Sequence, residues 1–163
     1  MNGTSSNVEG IVVIEFRHEE DVRSILSETQ TLTLATLDED GSPRATPLFF
    51  AVGNQNDLIF VSDPNSQHCN NLQREPQTAV GIYPEVGNWR QIRGLQMKGV
   101  ASLIPESERP AAYALFAARF SFISELSDIV RQSVFFRFRP SWIRLIDNRR
   151  GFGFQKEWGG AGE

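Results

Sequence analysis

Cysteine is nearly absent from this chain: its 163 residues include one, Cys69. A lone thiol closes no intrachain disulfide, so the core must hold the fold, and a reducing, cytoplasmic compartment is expected. Histidine is almost as scarce, with only His18 and His68. Neither histidine nor Cys69 falls in a ligand spacing such as CxxC or HExxH, so no metal site is expected. Lysine occurs twice, at Lys98 and Lys156, and the net charge is −4. General nucleic-acid binders are usually basic, so no nucleic-acid partner is expected. No apolar run approaches the roughly 20 residues that span a bilayer. The opening MNGTSSNVEG is too polar for a secretion signal, so no membrane partner is expected either. There is no GxSxG elbow. RGFGFQK (150–156) carries two glycines of a dinucleotide fingerprint but has Lys156 at the third, with no amphipathic helix after it. That rules out a Rossmann reading.

What is present fits one globular domain: 40% apolar and 22% charged residues, in a chain long enough to bury a core without staples. Residues 1–10 read as a mobile tail, 11–155 as the domain and 156–163 as a second loose tail. In 16–29, Val22, Ile25 and Leu26 share one helical face. TLTLATL (31–37) then changes the period to that of a strand, and DEDGSP turns tightly at Asp40-Gly41. RATPLFFAV (44–52) is a second strand, whose Pro47 needs a bulge or an unpaired position. LIFVS (58–62) is the third strand, and Ser66 is placed to cap a helix over 67–74. TAVGIY (78–83) and the long QIRGLQMKGVASLI (91–104) follow, with Gly94 and Gly99 as candidate bulges where a sheet curls. Residues 105–120 read as a helix, and 133–139 and 141–147 as two strands separated by Pro140. About seven strands against three helices, without βαβ alternation, point to a mainly β antiparallel barrel.

One constellation carries chemistry. The strand that starts at Arg44 forms a hairpin with LIFVS, which leads into the helix after Ser66. A helix start offers free N–H groups to an anion. Ser62 and Ser66 add hydroxyls, and Arg44 and His68 can add charge. The same residues also allow a structural reading: Ser66 as a plain cap, His68 as a solvated side chain, and Arg44 paired with Asp38 or Asp40. Gln96, between Leu95 and Met97, points either to solvent or inward toward a ring edge, because strand alternation alone does not choose the face. Phe135, Phe136 and Phe138 read as core or dimer contact, and Trp89 and Trp142 as packing.

The motifs TLATLDEDGSPRATPLFF, FVSDPNSQHCNNLQREPQTAVGI, IRGLQMKGVASLI and RPSWIRLIDNRRGFG resemble, in order and spacing, the pyridoxamine 5′-phosphate oxidase-like family of FMN-binding split barrels. The resemblance covers most of residues 20–155. It implies a split antiparallel β-barrel with flanking helices, FMN as cofactor, and a homodimer with the cofactor at the subunit interface. It also implies oxidoreduction of a small-molecule substrate. The implied cofactor contacts begin with Arg44, Ala45, Thr46 and Pro47. They continue with Val61 and Ser62, then Ser66, Gln67 and His68, then Gln96, and end with Asn148 and Arg150. No catalytic side chain is implied. Gln67 and His68 stand where the family usually has a basic pair, so a phosphate there is expected to charge His68 and to bind more tightly toward acid. The chain ends QKEWGGAGE and lacks the arginine-rich segment closing on R-L-x-P, so the namesake reaction is not expected. A flavin- or haem-binding protein without turnover, or a deazaflavin-dependent reductase, would fit the same fold.

Overall fold

The computed structural model describes residues 5–8, 11–14, 16, 19–54 and 56–160. Two short strands, β1 (Ser5–Val8) and β2 (Ile11–Ile14), pair with each other in antiparallel register. Helix α1 (Glu20–Glu28) buries Val22, Ile25 and Leu26, the apolar stripe that its spacing predicts. Next come β3 (Thr31–Leu37) and β4 (Pro43–Val52). They are joined by a turn in which Gly41 takes φ +82° and the Ser42 N–H donates to Asp40 Oδ1. After β5 (Leu58–Ser62) and α2 (Gln67–Arg74) come β6 (Gln77–Ile82) and β7 (Arg93–Leu103). The chain continues through α3 (Arg109–Arg119), α4 (Ser127–Gln132), β8 (Val134–Asp147) and β9 (Gln155–Gly159).

The sheet runs β5-β4-β3-β6-β7-β8 and closes by a β5–β8 pairing, a six-stranded antiparallel barrel with β9 added on the outer edge of β8. Leu34, Phe50, Phe60, Met97, Phe136 and Phe138 fill it. The Phe60 and Phe136 rings stack at 5.3 Å from adjacent strands. Outside the β4–β5–β8 wall, Ala51, Ile59 and Phe135 meet Ala112, Phe116, Ile123 and Val130 in a second cluster that docks α3 and α4. β4 pairs with β5 only through Phe50–Val52, so the stretch holding Pro47 has a ladder on its β3 side alone. That free edge is the split in the barrel, and it tolerates a residue without an N–H.

Several expectations need correction. Residues 134–147 form one continuous strand, with Pro140 buried inside it. A register shift at Lys98/Gly99 sets Gly99 against Pro140, which accommodates the missing donor. Gly94 sits in regular pairing with Ile146 and makes no bulge; its bare Cα allows close approach of Tyr83. Helix α4 lies between the patterns at 105–120 and 133–139, where the sequence suggests no element. The loose tail expected from 156 is β9 through Gly159, and Trp158 joins the core. In the expected N-terminal tail, Ser5–Val8 is a strand. Phe135, Phe136 and Phe138 are all buried within the protomer, so they form no exposed dimer patch. No helix among the described residues is long and apolar enough to cross a membrane.

Candidate cofactor site

The site is assembled where β5 ends and α2 begins. The Asp63 carboxylate accepts from the Asn65 N–H and its carbonyl from the Ser66 N–H, a tight turn that aims the helix start back over the barrel. Ser66 occupies the N-cap position, but its hydroxyl makes no capping bond. It lies instead 3.2 Å from His68 Nε2, with the Ser62 hydroxyl 2.8 Å from the same atom. The Gln67, His68 and Cys69 N–H groups therefore stay without a capping side chain at the positive end of the helix. Two hydroxyls, an imidazole and a helix start converge there, the donor set that an anion needs. With the proton on Nδ1, Nε2 has one lone pair to accept with, and the nearer Ser62 hydroxyl at 2.8 Å is the donor placed to use it. With the proton on Nε2, the hydroxyl hydrogens are free for a ligand.

His68 is not a solvated side chain. It is buried beside Ser62 and the fully buried Cys69. Burial, and then the nearby Arg44 charge, push its imidazole below the ordinary value, so it is neutral near pH 7. Burial likewise pushes the Cys69 thiol up, and hydrogen bonds with Ser66 and Ser62 only partly oppose this.

Arg44 stands across the split on β4, half exposed. Asp38 holds it in a bidentate grip, Nε to Oδ1 at 2.8 Å and Nη2 to Oδ2 at 2.7 Å. Buried Asn71 of α2 donates to Asp38 Oδ1 at 2.7 Å and to Thr36 Oγ1 at 3.0 Å. Arg44 and Asn71 together hold the Asp38 carboxyl at about 2. The hairpin, the arginine and the helix are thus locked into one unit. The sequence offered Asp38 or Asp40 as the partner of Arg44, and it is Asp38; Asn71 was not singled out. The available signal for Asn71 was an asparagine one helical turn beyond His68.

The remaining candidates are scattered. Ala45 and Pro47 lie exposed on the outer face of β4, while Thr46 faces inward opposite Leu34. Val61 packs against the α3–α4 cluster. Gln67 donates to Asn71 Oδ1 at 3.0 Å and so buttresses the Asp38 network. Gln96 does not point inward: Leu95 and Met97 are buried and Gln96 is exposed on the outer sheet face, paired with Gly81 and Arg144. Lys98 shares that face, its ammonium 5.0 Å from the Trp142 ring. Asn148 and Arg150 lie at the other end of the barrel. Thr36 and Arg44 are next to the row Ala35–Ala79–Lys98, whereas Asp147 pairs with Arg93. Five residues of β7, roughly 17 Å at strand rise, separate those levels. Asn148 ties two loops together, donating to the Trp89 carbonyl at 2.8 Å and accepting from the Gly153 N–H at 3.1 Å. Arg150 is bidentate to Asp21 at 2.8 and 2.7 Å. The structure brings Arg44, Ser62, Ser66 and His68 together, and it does not bring Asn148 or Arg150 to them. Among the described residues, no group of three or more His, Cys, Asp or Glu is placed to hold a metal.

The sequence profile of pyridoxamine 5′-phosphate oxidase matches residues 18–147. The chain belongs to that family. A UPF0306 protein of Photorhabdus laumondii is 23% identical over 137 residues, covering 84% of this chain and 92% of its own. Among solved structures, a haem-binding protein from Mycobacterium smegmatis superposes with TM-score 0.73 at 20% identity, over 86% of this chain and 57% of its own. A FAD-binding protein from Mesorhizobium loti gives TM-score 0.60 at 20% identity, over 75% of this chain and 88% of its own. At these identities the likeness establishes the split barrel alone.

Proposed function

We propose that this protein binds FMN with the phosphate at the start of α2, and that it works as a homodimeric oxidoreductase on a small molecule. The observation that carries the reading is the convergence of Ser62, Ser66 and His68 on uncapped helix N–H groups, with Arg44 alongside. These residues fit a phosphate. The helix start and hydroxyls supply neutral donors, and Arg44 supplies a permanent charge already oriented by Asp38. FMN would supply the redox chemistry, while the chain binds and orients it.

Asn148 and Arg150 belong to this reading through a partner. They are too far along the barrel to serve the same ligand as Arg44, so an antiparallel second copy would have to present them. Gln96 and Lys98 would meet a ring that lies on the outer sheet face.

A thermal melt with saturating FMN tests the cofactor, because a ligand of the folded state alone raises Tm by mass action. FMN is expected to stabilise the protein more than riboflavin does. No shift with either would overturn the reading.

The haem-binding neighbour motivates a second reading, as a haem holder. Haem needs an axial ligand, and His68 already spends Nε2 on Ser62 and Ser66. His18 lies outside the described residues. A Soret band in freshly purified protein would favour haem, a flavin spectrum FMN. Deazaflavin would be separated from FMN by mass spectrometry of the extracted cofactor.

A further inference from the structure

A cavity of about 530 Å3 opens at the barrel end opposite Arg44, between α1, the end of β4 and the last turn of α3. Its apolar wall is made by Phe16 and Leu26, both buried, and Val52. Arg23 and Arg119 also line it, and no carboxylate does among the described residues. Ligand sites of small molecules commonly fall in this size range, with an apolar wall and a few polar groups.

Among the described residues, four acids near this region are paired elsewhere. Glu28 pairs with Arg93, Asp21 with Arg150, Glu19 with Lys156, and Asp57 with Arg137. Arg119 uses Nη2 to close the C-terminal end of α1, donating to the carbonyls of Leu26 at 2.7 Å and Thr29 at 2.5 Å. Its guanidinium lies 4.8 Å from the Phe50 ring. Those contacts fix the group in place but supply no counter-charge. Nε and Nη1 have no protein acceptor among the described residues. Burial pushes the Arg119 guanidinium down from its ordinary value, and it nonetheless remains cationic at any working pH.

We propose that this cavity binds a small amphipathic anion, a carboxylate or phosphate head on a short apolar body, with the head between Arg119 and Arg23 and the body against Phe16, Leu26 and Val52. A fixed, half-buried guanidinium with free donors forms strong charge-assisted bonds to such a head. The apolar wall rewards a hydrocarbon body but not a bare ion. This site is separate from the α2 start and does not depend on the cofactor reading.

Isothermal titration of the full chain with octanoate, octyl phosphate, 1-octanol and octylamine tests it. At least one of the two anions is expected to bind, at least about tenfold more tightly than the alcohol, as a charge-assisted contact should give, and the amine not at all. Arg119→Gln is expected to weaken the anion at least about tenfold, and Arg23→Gln by a smaller factor. Arg23 is exposed and caps nothing, so its variant folds even if the other is unstable. Arg44→Ala is expected to leave anion binding in this cavity unchanged and to remove only any octyl phosphate held at the α2 start. The proposal is overturned if neither anion binds by about 10 mM, if octanol binds as well as the anions, or if Arg23→Gln binds them like the parent. It is equally overturned if Arg44→Ala abolishes binding, since the anion would then sit in the phosphate site.

Discussion

At the scale of single residues, the two basic groups of the site play different parts. Arg44 is charged at every relevant pH and is aimed by Asp38. Arg44→Ala should therefore weaken FMN by about tenfold or more while changing riboflavin little, the size expected for a lost charge-assisted bond to phosphate. Fluorescence titration with both ligands checks this, and equal losses would mean that Arg44 does not read the phosphate. His68 is neutral because burial and Arg44 oppose its protonation. The sequence alone suggested an imidazole that a phosphate would charge. In the chain by itself it is a neutral ring beside two hydroxyls, and FMN affinity is expected to be nearly flat between about pH 7 and 9. A steady gain toward pH 7 that is absent in His68→Gln would show that the phosphate recharges the ring. The same lowered pKa has a consequence for stability. The folded value lies below the unfolded one, so the unfolded chain takes up the proton first as pH falls. His68 thus favours the folded state above about pH 6.5, and that contribution is lost on acidification below it. Urea midpoints at pH 7.5 and 5.5 should fall less for His68→Gln than for the parent. The Asp38 contribution, with its carboxyl held at about 2, is lost only at much lower pH.

At the scale of elements, local patterns were legible where a strand has one buried face and one exposed face. TLTLATL alternates in burial along Thr31–Leu37, and the turn after it has its glycine at positive φ. LIFVS and the 67–74 helix have the bounds that their flanking turn residues imply. Legibility failed where tertiary contacts decide. Pro140 reads as a break because proline removes a ladder bond, yet the facing bulge at Gly99 absorbs it. Residues 155–159 are mostly polar and exposed, so only pairing with β8 reveals them as a strand. Gly99 is where this dependence can be tested. A Cβ there would stand 2.1 Å from the Arg139 carbonyl oxygen, with backbone on every near side. Gly99→Ala should destabilise the protein by about 1–3 kcal/mol, the usual cost of overpacking that forces backbone to move. Gly94 offers a milder comparison, since its nearest obstacles stand at 3.0 Å. Chemical denaturation of both variants checks the order.

At the scale of the whole molecule, the split barrel has an uneven exterior. Helices α3 and α4 cover the wall made by the end of β4 with β5 and β8, but among the described residues no helix covers the outer face formed by the start of β4 with β3 and β6, which is nearly free of charge. That face carries Ala45 and Pro47, then Thr33 and Ala35, then Ala79 and Gly81, with Phe49 exposed at its margin. A solvated antiparallel sheet face is normally polar, and a contiguous apolar one usually marks an interface. The proposed dimer would use it, because an antiparallel copy packed there carries its Asn148 end toward the Arg44 end of the first. Gly81 separates folding from assembly. A Cβ at that position meets nothing within 4 Å, so the protomer has room for a side chain. Gly81→Arg should therefore keep the protomer folded, with at most about 1 kcal/mol lost to placing a non-glycine residue in a strand. It should nevertheless give a monomer by light scattering at micromolar concentration, where the parent is expected to be a dimer. The same variant should lose FMN affinity although Arg44, Ser62, Ser66 and His68 are untouched, because the partner's contribution is gone. A parent chain that is monomeric, or a Gly81→Arg variant that remains dimeric and binds FMN normally, would place the interface elsewhere and leave the cofactor site to one chain alone.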